Sequence, residues 1–348
     1  PGVSRASYAD QAIAEVRLAR RVLGARDLPV SSVFVGGGTP TLLPPGDLGR
    51  ILAAIRDELG LVDGAEVTTE ANPDSVDAAG LRRLRDDGFT RVSFGMQSTA
   101  PHVLAVLERT HTPGRAVDAV AEARAAGFEH VNLDLIYATP GETEGDFAAS
   151  LDAAASSGAD HVSAYSLIVE DGTRLSARIR RGELPDVDDD VAADRYLQAD
   201  AALSGAGLDW YEVSNWARPG GECRHNLSYW RGDDWWGIGP GAHSHVGGVR
   251  WWNVRHPSAY AERITAGVSP AQAREVLSDA DRRVEDVLLR VRLREGLPLG
   301  LLDGPGLDVA ARAVHDGLAD ASAYAMGRVV LTLRGRLLAD GLVRALLP

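Results

Sequence analysis

A joint of one kind recurs along the first two thirds of the chain. A stretch with helical spacing ends at a glycine, and a short strand-like run follows it directly, at Gly88, Gly127, Gly158 and Gly207. Glycine is the usual residue just past a helix end, and helices that alternate with strands build a parallel sheet. Because connections between parallel strands are right-handed, about six such units should curl into a barrel or open barrel. Its site would lie at the C-terminal ends of the strands.

Polar groups are found near several of these strand ends. The apolar run 33–35 leads into Gly36-Gly37-Gly38-Thr39-Pro40-Thr41. Such glycines open backbone amides to a ligand, although the segment could also be only a tight turn. The chain has no lysine for a P-loop, and prolines stand where a dinucleotide-binding helix should begin. Glu70, Gln97 and Asp134 follow in later strands; each could merely satisfy its own loop, but their succession favours one common site.

Composition restricts the function classes open to this chain. The net charge of the 348 residues is −13 and the pI is about 5.2, which argues against a nucleic-acid partner. The one cysteine, Cys223, excludes a disulfide within the chain. No apolar run approaches the ~18–20 residues that span a membrane, and no signal-peptide pattern opens the chain. We therefore expect a soluble cytoplasmic protein without an integral membrane segment.

The character of the sequence changes twice beyond the barrel. Tryptophan and tyrosine crowd into 210–252, which predicts antiparallel strands that extend the sheet. From about Pro270, helical stretches and a short strand predict a small winged-helix-like α+β domain, for which the acidic charge argues against DNA reading. We predict an α/β fold with a barrel core at 1–207, an antiparallel extension at 208–269 and the C-terminal domain at 270–348.

Five motifs together resemble the radical S-adenosylmethionine (SAM) enzymes of the oxygen-independent coproporphyrinogen III oxidase type. They are Gly36-Gly37-Gly38-Thr39-Pro40-Thr41, Glu70-Ala71-Asn72-Pro73, Ser93-Phe94-Gly95-Met96-Gln97-Ser98, Asn132-Leu133-Asp134-Leu135-Ile136-Tyr137 and Gly237-Ile238-Gly239-Pro240-Gly241-Ala242-His243-Ser244. The resemblance runs from Tyr8 to the end of the chain. It implies a partial (β/α)6 TIM-like radical SAM barrel.

The resemblance also implies a SAM site. Its residues would be Gly37, Gly38 and Thr39 beside the nucleoside and amino-acid parts, Glu70, Gln97, Arg109 and Asp134 on the carboxylate, amino and ribose groups, and His243 close by. The chemistry agrees, because SAM carries a sulfonium, an ammonium and a carboxylate, which call for acids, an arginine and open amides.

The sequence departs from the family at the iron–sulfur cluster. Members bind a [4Fe–4S] cluster through cysteines spaced Cys-x3-Cys-x2-Cys in the loop after their first strand, whereas this sequence offers only Cys223. Without that first strand, the apolar run 33–35 would be an open sheet edge. We therefore expect a missing N-terminal segment of roughly 25–40 residues, and no cluster on the chain as given, although the complete form should take one up.

A further element resembles the haem-chaperone members of the family. Glu222–Trp230 contains His225-Asn226-x-x-Tyr229-Trp230, which matches a His-Asn-x-x-Tyr-Trp element that oxidase members lack. Neutral imidazole is a good axial ligand of haem iron. Tryptophans 230, 235 and 236 offer flat apolar surface to a porphyrin. Without the resemblance, His225 could simply cap a turn and the tryptophans could be core.

The resemblance therefore implies a haem chaperone with His225 on the haem iron, and His243 and His245 are the competing ligands. Its partners would be haem and recipient haemoproteins, among which respiratory proteins are candidates. The alternative is an oxidase that decarboxylates coproporphyrinogen III by means of SAM and a reduced cluster. Whether SAM is turned over stays open at this point.

Overall fold

The computed structural model describes residues 5–347. The strands, in chain order, are β1 (Val30–Val35), β2 (Leu61–Ala71), β3 (Arg91–Gln97), β4 (His130–Tyr137), β5 (His161–Ser166), β6 (Asp209–Glu212), β7 (Asn215–Ala217), β8 (His243–Val246), β9 (Val249–Asn253), β10 (Ala271–Val276), β11 (Leu297–Pro298) and β12 (Arg328–Val329). The α-helices are α1 (Arg5–Leu23), α2 (Asp47–Leu59), α3 (Ala78–Asp87), α4 (Pro101–Val106), α5 (Arg115–Ala125), α6 (Glu144–Ser156), α7 (Arg174–Arg180), α8 (Asp189–Gly205), α9 (Arg224–Arg231), α10 (Pro257–Thr265), α11 (Asp279–Arg290), α12 (Gly304–His315), α13 (Ala321–Ala325), α14 (Leu333–Leu337) and α15 (Ala339–Leu346).

The largest sheet has seven strands in the order β1-β2-β3-β4-β5-β7-β6. Strands β2 to β5 pair in parallel, and β7 and β6 add an antiparallel edge. The predicted α/β class and parallel half-barrel are confirmed. The four joint glycines Gly88, Gly127, Gly158 and Gly207 all have positive φ, between 79° and 109°, as expected for residues just past a helix end.

The described residues form two compact units. The first contains 5–34, 43–67 and 223–347, and the second contains 35–42 and 68–222. The chain passes from the first unit into the second within β1 and again within β2. The predicted domain boundaries at 207/208 and 269/270 do not coincide with these units and stay a prediction.

The second unit buries one face of its strands against helices. In β4, Val131, Leu133 and Leu135 are fully buried, while Asn132 and Asp134 alternate with them on the other face. Helices α5, α6 and α8 contribute buried apolar side chains to this core. The strand pattern therefore leaves a polar face on the sheet, and this face carries the candidate site.

The prediction for the aromatic-rich stretch 210–252 is only partly right. Strands β6 and β7 add an antiparallel edge to the main sheet, as expected. The aromatic-rich stretch is not strand throughout. Residues 224–231 form α9, which ends at Gly232 in the left-handed region. Beyond it, β8, β9 and β10 form a separate antiparallel sheet and do not lengthen the main one.

The C-terminal part of the first unit packs helices α11 to α15 around a leucine- and valine-rich core with the short pair β11–β12. The short strand predicted in this part of the chain is β12, which ends at Val329. The Thr332 hydroxyl then caps α14 by accepting a hydrogen bond from the Gly335 amide. None of the described helices is long and apolar enough to cross a membrane.

Gly335→Ala tests the close packing of this C-terminal core. An added Cβ at Gly335 would lie 1.9 Å from the carbonyl oxygen of Leu318, which is backbone and has little freedom to move. We expect the substitution to lower the free energy of unfolding by about 3 kcal/mol or more. Urea unfolding followed by circular dichroism measures the loss.

Gly341→Ala is the matched control for this substitution. Gly341 is exposed in the neighbouring helix α15. Apart from its chain neighbours and its own helix backbone, no heavy atom lies within 4 Å of the methyl group that alanine would add. The variant should be unchanged or more stable by up to about 1 kcal/mol, the helix propensity difference. Equal unfolding midpoints for the two variants would contradict the packing described here.

Candidate functional site

A cavity of about 460 Å³ opens in the second unit, at the C-terminal side of strands β2 to β5. Of the residues predicted from sequence, Gly38, Thr39, Glu70, Gln97, Arg109 and Asp134 line it. Its volume lies in the range of small-molecule sites, about 300–1,000 Å³. The structure thus brings six of the predicted residues together within one unit.

Glu70 is folded against the glycine turn that follows β1. The Gly37 amide donates a hydrogen bond to Glu70 Oε2 at 3.1 Å. A Cβ on Gly36 would lie 2.9 Å from Glu70 Oε1, so a larger residue there would force the carboxylate to shift from its place. Burial raises the pKa of Glu70, the Gly37 N–H partly counters it, and the charge of Asp134 raises it further. Gly37 therefore serves the site by holding Glu70, whereas Gly38 and Thr39 line the cavity itself.

Gln97 enters the cavity from a strained position. It is buried, has φ of 63°, and follows a register shift after Gly95 in the pairing of β3 with β4. A Cβ on Gly95 would lie 2.8 Å from Gln97 Nε2, so this glycine also makes room for a polar side chain. The other non-glycine residues with positive φ among those described are Glu108 and Ala138. Gln97 ends β3, Ala138 follows β4 directly, and Glu108 lies just beyond α4. Backbone strain of this kind clusters at functional sites.

Asp134 is held by donors from its own strand and both neighbours. Asn132 Nδ2 donates to Oδ1 at 2.7 Å and the Ser93 hydroxyl donates to Oδ2 at 2.8 Å. Burial raises the pKa of Asp134, while hydrogen bonds from Ser93, Ser163 and Asn132 and the charge of Arg109 oppose the rise. Asp134 lies three residues before the end of β4 and not at its end as predicted.

A buried histidine behind Asp134 fixes the direction of this network. Because the Asn132 amide nitrogen faces Asp134, its oxygen faces His161, whose Nδ1 lies 2.5 Å away and therefore donates. His161 Nε2 then accepts from the Tyr211 hydroxyl at 2.7 Å. Burial lowers the pKa of His161 well below its usual range, which agrees with a neutral ring. The sequence reasoning missed Ser93, Asn132 and His161.

Arg109 supplies the positive charge of the cavity. Its side chain is exposed at the rim, and its charge acts on Asp134 and on the buried His111, which also lines the cavity. Burial lowers the pKa of His111, Asp74 opposes this change, and Arg109 adds to it. Two carboxylates and one guanidinium thus face a single small-molecule space.

His225 lies in the first unit, at the start of α9. The N-cap residue of α9, Cys223, makes no capping hydrogen bond with its side chain. The buried Glu66 carboxylate caps the helix instead, by accepting hydrogen bonds from the Arg224 amide at 3.1 Å and the His225 amide at 2.9 Å. His225 Nδ1 lies 2.9 Å from the Ser32 hydroxyl. Burial lowers the pKa of His225, and the Glu66 carboxylate partly opposes this shift.

A series of ring contacts continues from His225. Tyr229 meets the imidazole edge-on with centroids 4.9 Å apart, and Trp235 meets Tyr229 edge-on at 4.8 Å. His245 lies tilted against Trp235 at 5.2 Å. His243, predicted close to SAM, is exposed on β8 of this same unit and stacks on Trp252.

A second buried carboxylate of the first unit holds the glycine-rich motif. Glu15 of α1 accepts hydrogen bonds from the Gly239 amide at 2.8 Å, from Asn253 Nδ2 at 2.7 Å and from the Tyr260 hydroxyl at 2.5 Å. Burial raises the pKa of Glu15, and these three hydrogen bonds oppose the rise. Helix α1 thereby fixes the turn that precedes His243.

The residues present do not fit an iron–sulfur cluster. Cys223 is buried, and its Sγ donates to Glu66 Oε1 at 3.4 Å. Between residues 5 and 347, no group of three histidine, cysteine or acidic side chains is placed to hold a metal ion. A [4Fe–4S] cluster needs several thiolates, and this sequence has one.

Sequence and structure comparisons relate this chain to known proteins. The family model of the radical SAM superfamily matches residues 5–154. The chain is 55% identical over 334 residues to the haem chaperone HemW of Mycobacterium tuberculosis, with 96% of this chain and 84% of the relative covered. It is 35% identical over 269 residues to HemW of Lactococcus lactis, with 76% of this chain and 70% of the relative covered.

Among solved structures, coproporphyrinogen III oxidase (HemN) from Escherichia coli, described as a radical SAM enzyme, superposes with a TM-score of 0.82. The match covers 98% of this chain and 82% of that one at 23% sequence identity. At that identity the likeness establishes the fold and carries no further conclusion.

The setting of Glu70 predicts how the cavity titrates. Because burial raises the pKa of Glu70, its carboxyl should take up a proton at a higher pH than an unperturbed glutamate as the solution is acidified. Asp146 is the control: the hydroxyl and amide of Thr143 lower its pKa, so it should stay ionised to lower pH than an ordinary aspartate. Carbon-13 NMR of labelled side chains follows both groups. A Glu70 midpoint at or below the ordinary glutamate value would contradict the half-buried setting described for this carboxyl.

Proposed function

The chain belongs to the radical SAM superfamily and, within it, to the family of HemW haem chaperones, and from this membership we propose that it carries haem to recipient haemoproteins. In this proposal haem is the cargo and binds beside α9 of the first unit. SAM binds in the cavity of the second unit.

The setting of His225 is the observation that carries the haem assignment. Its imidazole is half-buried, and burial lowers its pKa, so the ring is neutral near pH 7 as an iron ligand must be. Glu66 fixes the helix end on which it stands. Tyr229 and Trp235 add aromatic surface beside it, which suits the flat apolar face of a porphyrin.

The cavity of the second unit has the groups that SAM requires. Glu70 and Asp134 suit its ammonium and ribose hydroxyls, Arg109 suits its carboxylate, and Gly38 and Thr39 line the turn where backbone amides can approach it. Gln97 adds an amide at the same edge. The assignment of His243 to SAM rests on the family resemblance alone.

Membership of the superfamily implies SAM together with a [4Fe–4S] cluster. When both are bound, they supply radical chemistry by reductive cleavage of SAM. The residues of this chain fit SAM and do not supply the cluster ligands. The function proposed for its own residues is therefore to bind and orient SAM and to hold haem.

The alternative is oxidation of coproporphyrinogen III, the activity in the name of the HemN structure. That function has the shared fold in its favour. The haem chaperone has support from relatives of much higher identity and from the α9 element, so it is the function we favour.

Arg109→Ala tests the SAM assignment. Loss of the guanidinium leaves the SAM carboxylate without its partner, and we expect binding to weaken by about 1–3 kcal/mol. Isothermal titration with SAM measures the change. Arg83→Ala is the control, because Arg83 is exposed on α3 and does not line the cavity. Equal SAM affinities of the two variants would remove Arg109 from the site.

His225→Ala tests the haem assignment, with His243→Ala as its comparison. Removal of the iron ligand should shift the Soret band and weaken haem binding by about tenfold or more, equivalent to about 1.4 kcal/mol. His243→Ala should leave both unchanged. Haem titration followed by absorbance gives the answer.

The opposite pattern, in which only His243→Ala loses haem, would show that the iron ligand is wrongly assigned. If neither variant matters and the protein instead converts coproporphyrinogen III with SAM, the oxidase replaces the chaperone.

A further inference from the structure

The two ring nitrogens of His225 have partners of different character. Nδ1 faces the hydroxyl of Ser32, a half-buried residue of β1, at 2.9 Å. Nε2 faces the hydroxyl of Tyr229, one turn further along α9, at 3.1 Å. Tyr229 is 39% exposed. One partner thus belongs to a sheet strand, and the other is a side chain that can rotate towards solvent.

We propose that Ser32 is a positioning residue that orients the His225 imidazole for haem iron, and that the Tyr229 hydroxyl holds the place on Nε2 that the iron takes. Neither role belongs to the SAM cavity. The inference rests on the proposed haem function and adds to it a residue outside the His-Asn-x-x-Tyr-Trp element.

The tautomer of the ring decides which nitrogen can bind iron. An imidazole that ligates through Nε2 keeps its proton on Nδ1, and a hydrogen-bond acceptor at Nδ1 favours that tautomer. Both hydroxyls can donate or accept. Nε2 carries a lone pair, and no proton, in only one arrangement: His225 Nδ1 donates to Ser32, and Tyr229 donates to Nε2. Iron can then bind Nε2 once the Tyr229 hydroxyl has moved away.

Packing restrains the ring on the Ser32 side. Phe34 lies 5.3 Å from the imidazole at an angle of 30°, and Glu66 holds the backbone amide of His225. The Nδ1 edge therefore faces the strand β1. Iron must approach at Nε2, where the obstacle is the exposed Tyr229.

On the Nε2 side, departure of Tyr229 costs one hydrogen bond between uncharged groups. Its ring contacts both His225 and Trp235 edge-on, at 4.9 Å and 4.8 Å. Rotation of the phenol would uncover Nε2 and leave Trp235 as surface for the porphyrin. The geometry therefore gives Ser32→Ala and Tyr229→Phe opposite effects on haem affinity.

Haem titration of the purified protein and its variants, followed by absorbance and electron paramagnetic resonance, tests the inference. Ser32→Ala should weaken haem binding about tenfold, as loss of a group behind a metal ligand does, and should change the spin-state signature of the ferric haem. Ser32→Thr, which keeps a hydroxyl, should restore both. Ser31→Ala is the matched control, because Ser31 is the exposed neighbour on the same strand, and it should behave as the unaltered protein.

Tyr229→Phe should bind haem severalfold more tightly, because the iron no longer competes with a hydrogen bond at Nε2. If Ser32→Ala has the same haem affinity and spectrum as Ser31→Ala, Ser32 does not position the His225 ring. Tyr229→Phe that binds haem more weakly than the unaltered protein would overturn the role of Tyr229. His225→Ala distinguishes failure of this inference from failure of the proposed haem site. If His225→Ala abolishes the haem spectrum while the Ser32 and Tyr229 variants change nothing, the haem site stands and only this inference fails. If His225→Ala has no effect, the assignment of His225 to the iron is itself wrong.

Discussion

Buried and half-buried carboxylates held by N–H and O–H donors organise both units of this protein. Glu70 and Asp134 stand at the cavity, Glu66 caps α9, and Glu15 holds the glycine-rich turn at Gly239. A buried carboxylate is costly unless hydrogen bonds compensate for its lost hydration. Each of these acids therefore requires its donors in place, and for three of them the donors include backbone amides of a segment that carries the candidate chemistry. The same contacts that satisfy the acids thus fix the glycine turn, helix α9 and the motif before His243.

The helix–glycine–strand joints made the parallel sheet predictable, because C-cap chemistry is local and leaves a mark in the sequence. The cavity residues near strand ends were predictable because the C-terminal ends of parallel strands meet at one edge of the sheet. Helix α9 was not, because its cap, Glu66, is 159 residues away from His225 along the chain. The network behind Asp134 left a weaker signal: Asn132 and Asp134 alternate along β4, as His161 and Ser163 do along β5. Only the register of the strands, which pairs Asn132 with His161, shows that these residues meet.

The two candidate sites suit ligands of different chemistry, and each unit contains one of the sites. The second unit presents charges and amides to a zwitterionic small molecule, with backbone strain at Gln97 and close approach at Gly36 and Gly95. The first presents a neutral imidazole among aromatic rings, which suits a metal porphyrin. The proposed function assigns SAM to the second unit and haem to the first, and the one cysteine of this sequence does not supply the ligands of a cluster.

The central claim is that His225 binds haem iron. Pulsed electron paramagnetic resonance of the ferric haem complex, made from protein with nitrogen-15 histidine, tests it most directly. The account predicts strong coupling between the iron and a histidine nitrogen, which disappears when His225 is replaced. Coupling that survives that replacement, or a bound haem with no histidine nitrogen coupled to its iron, would contradict the account.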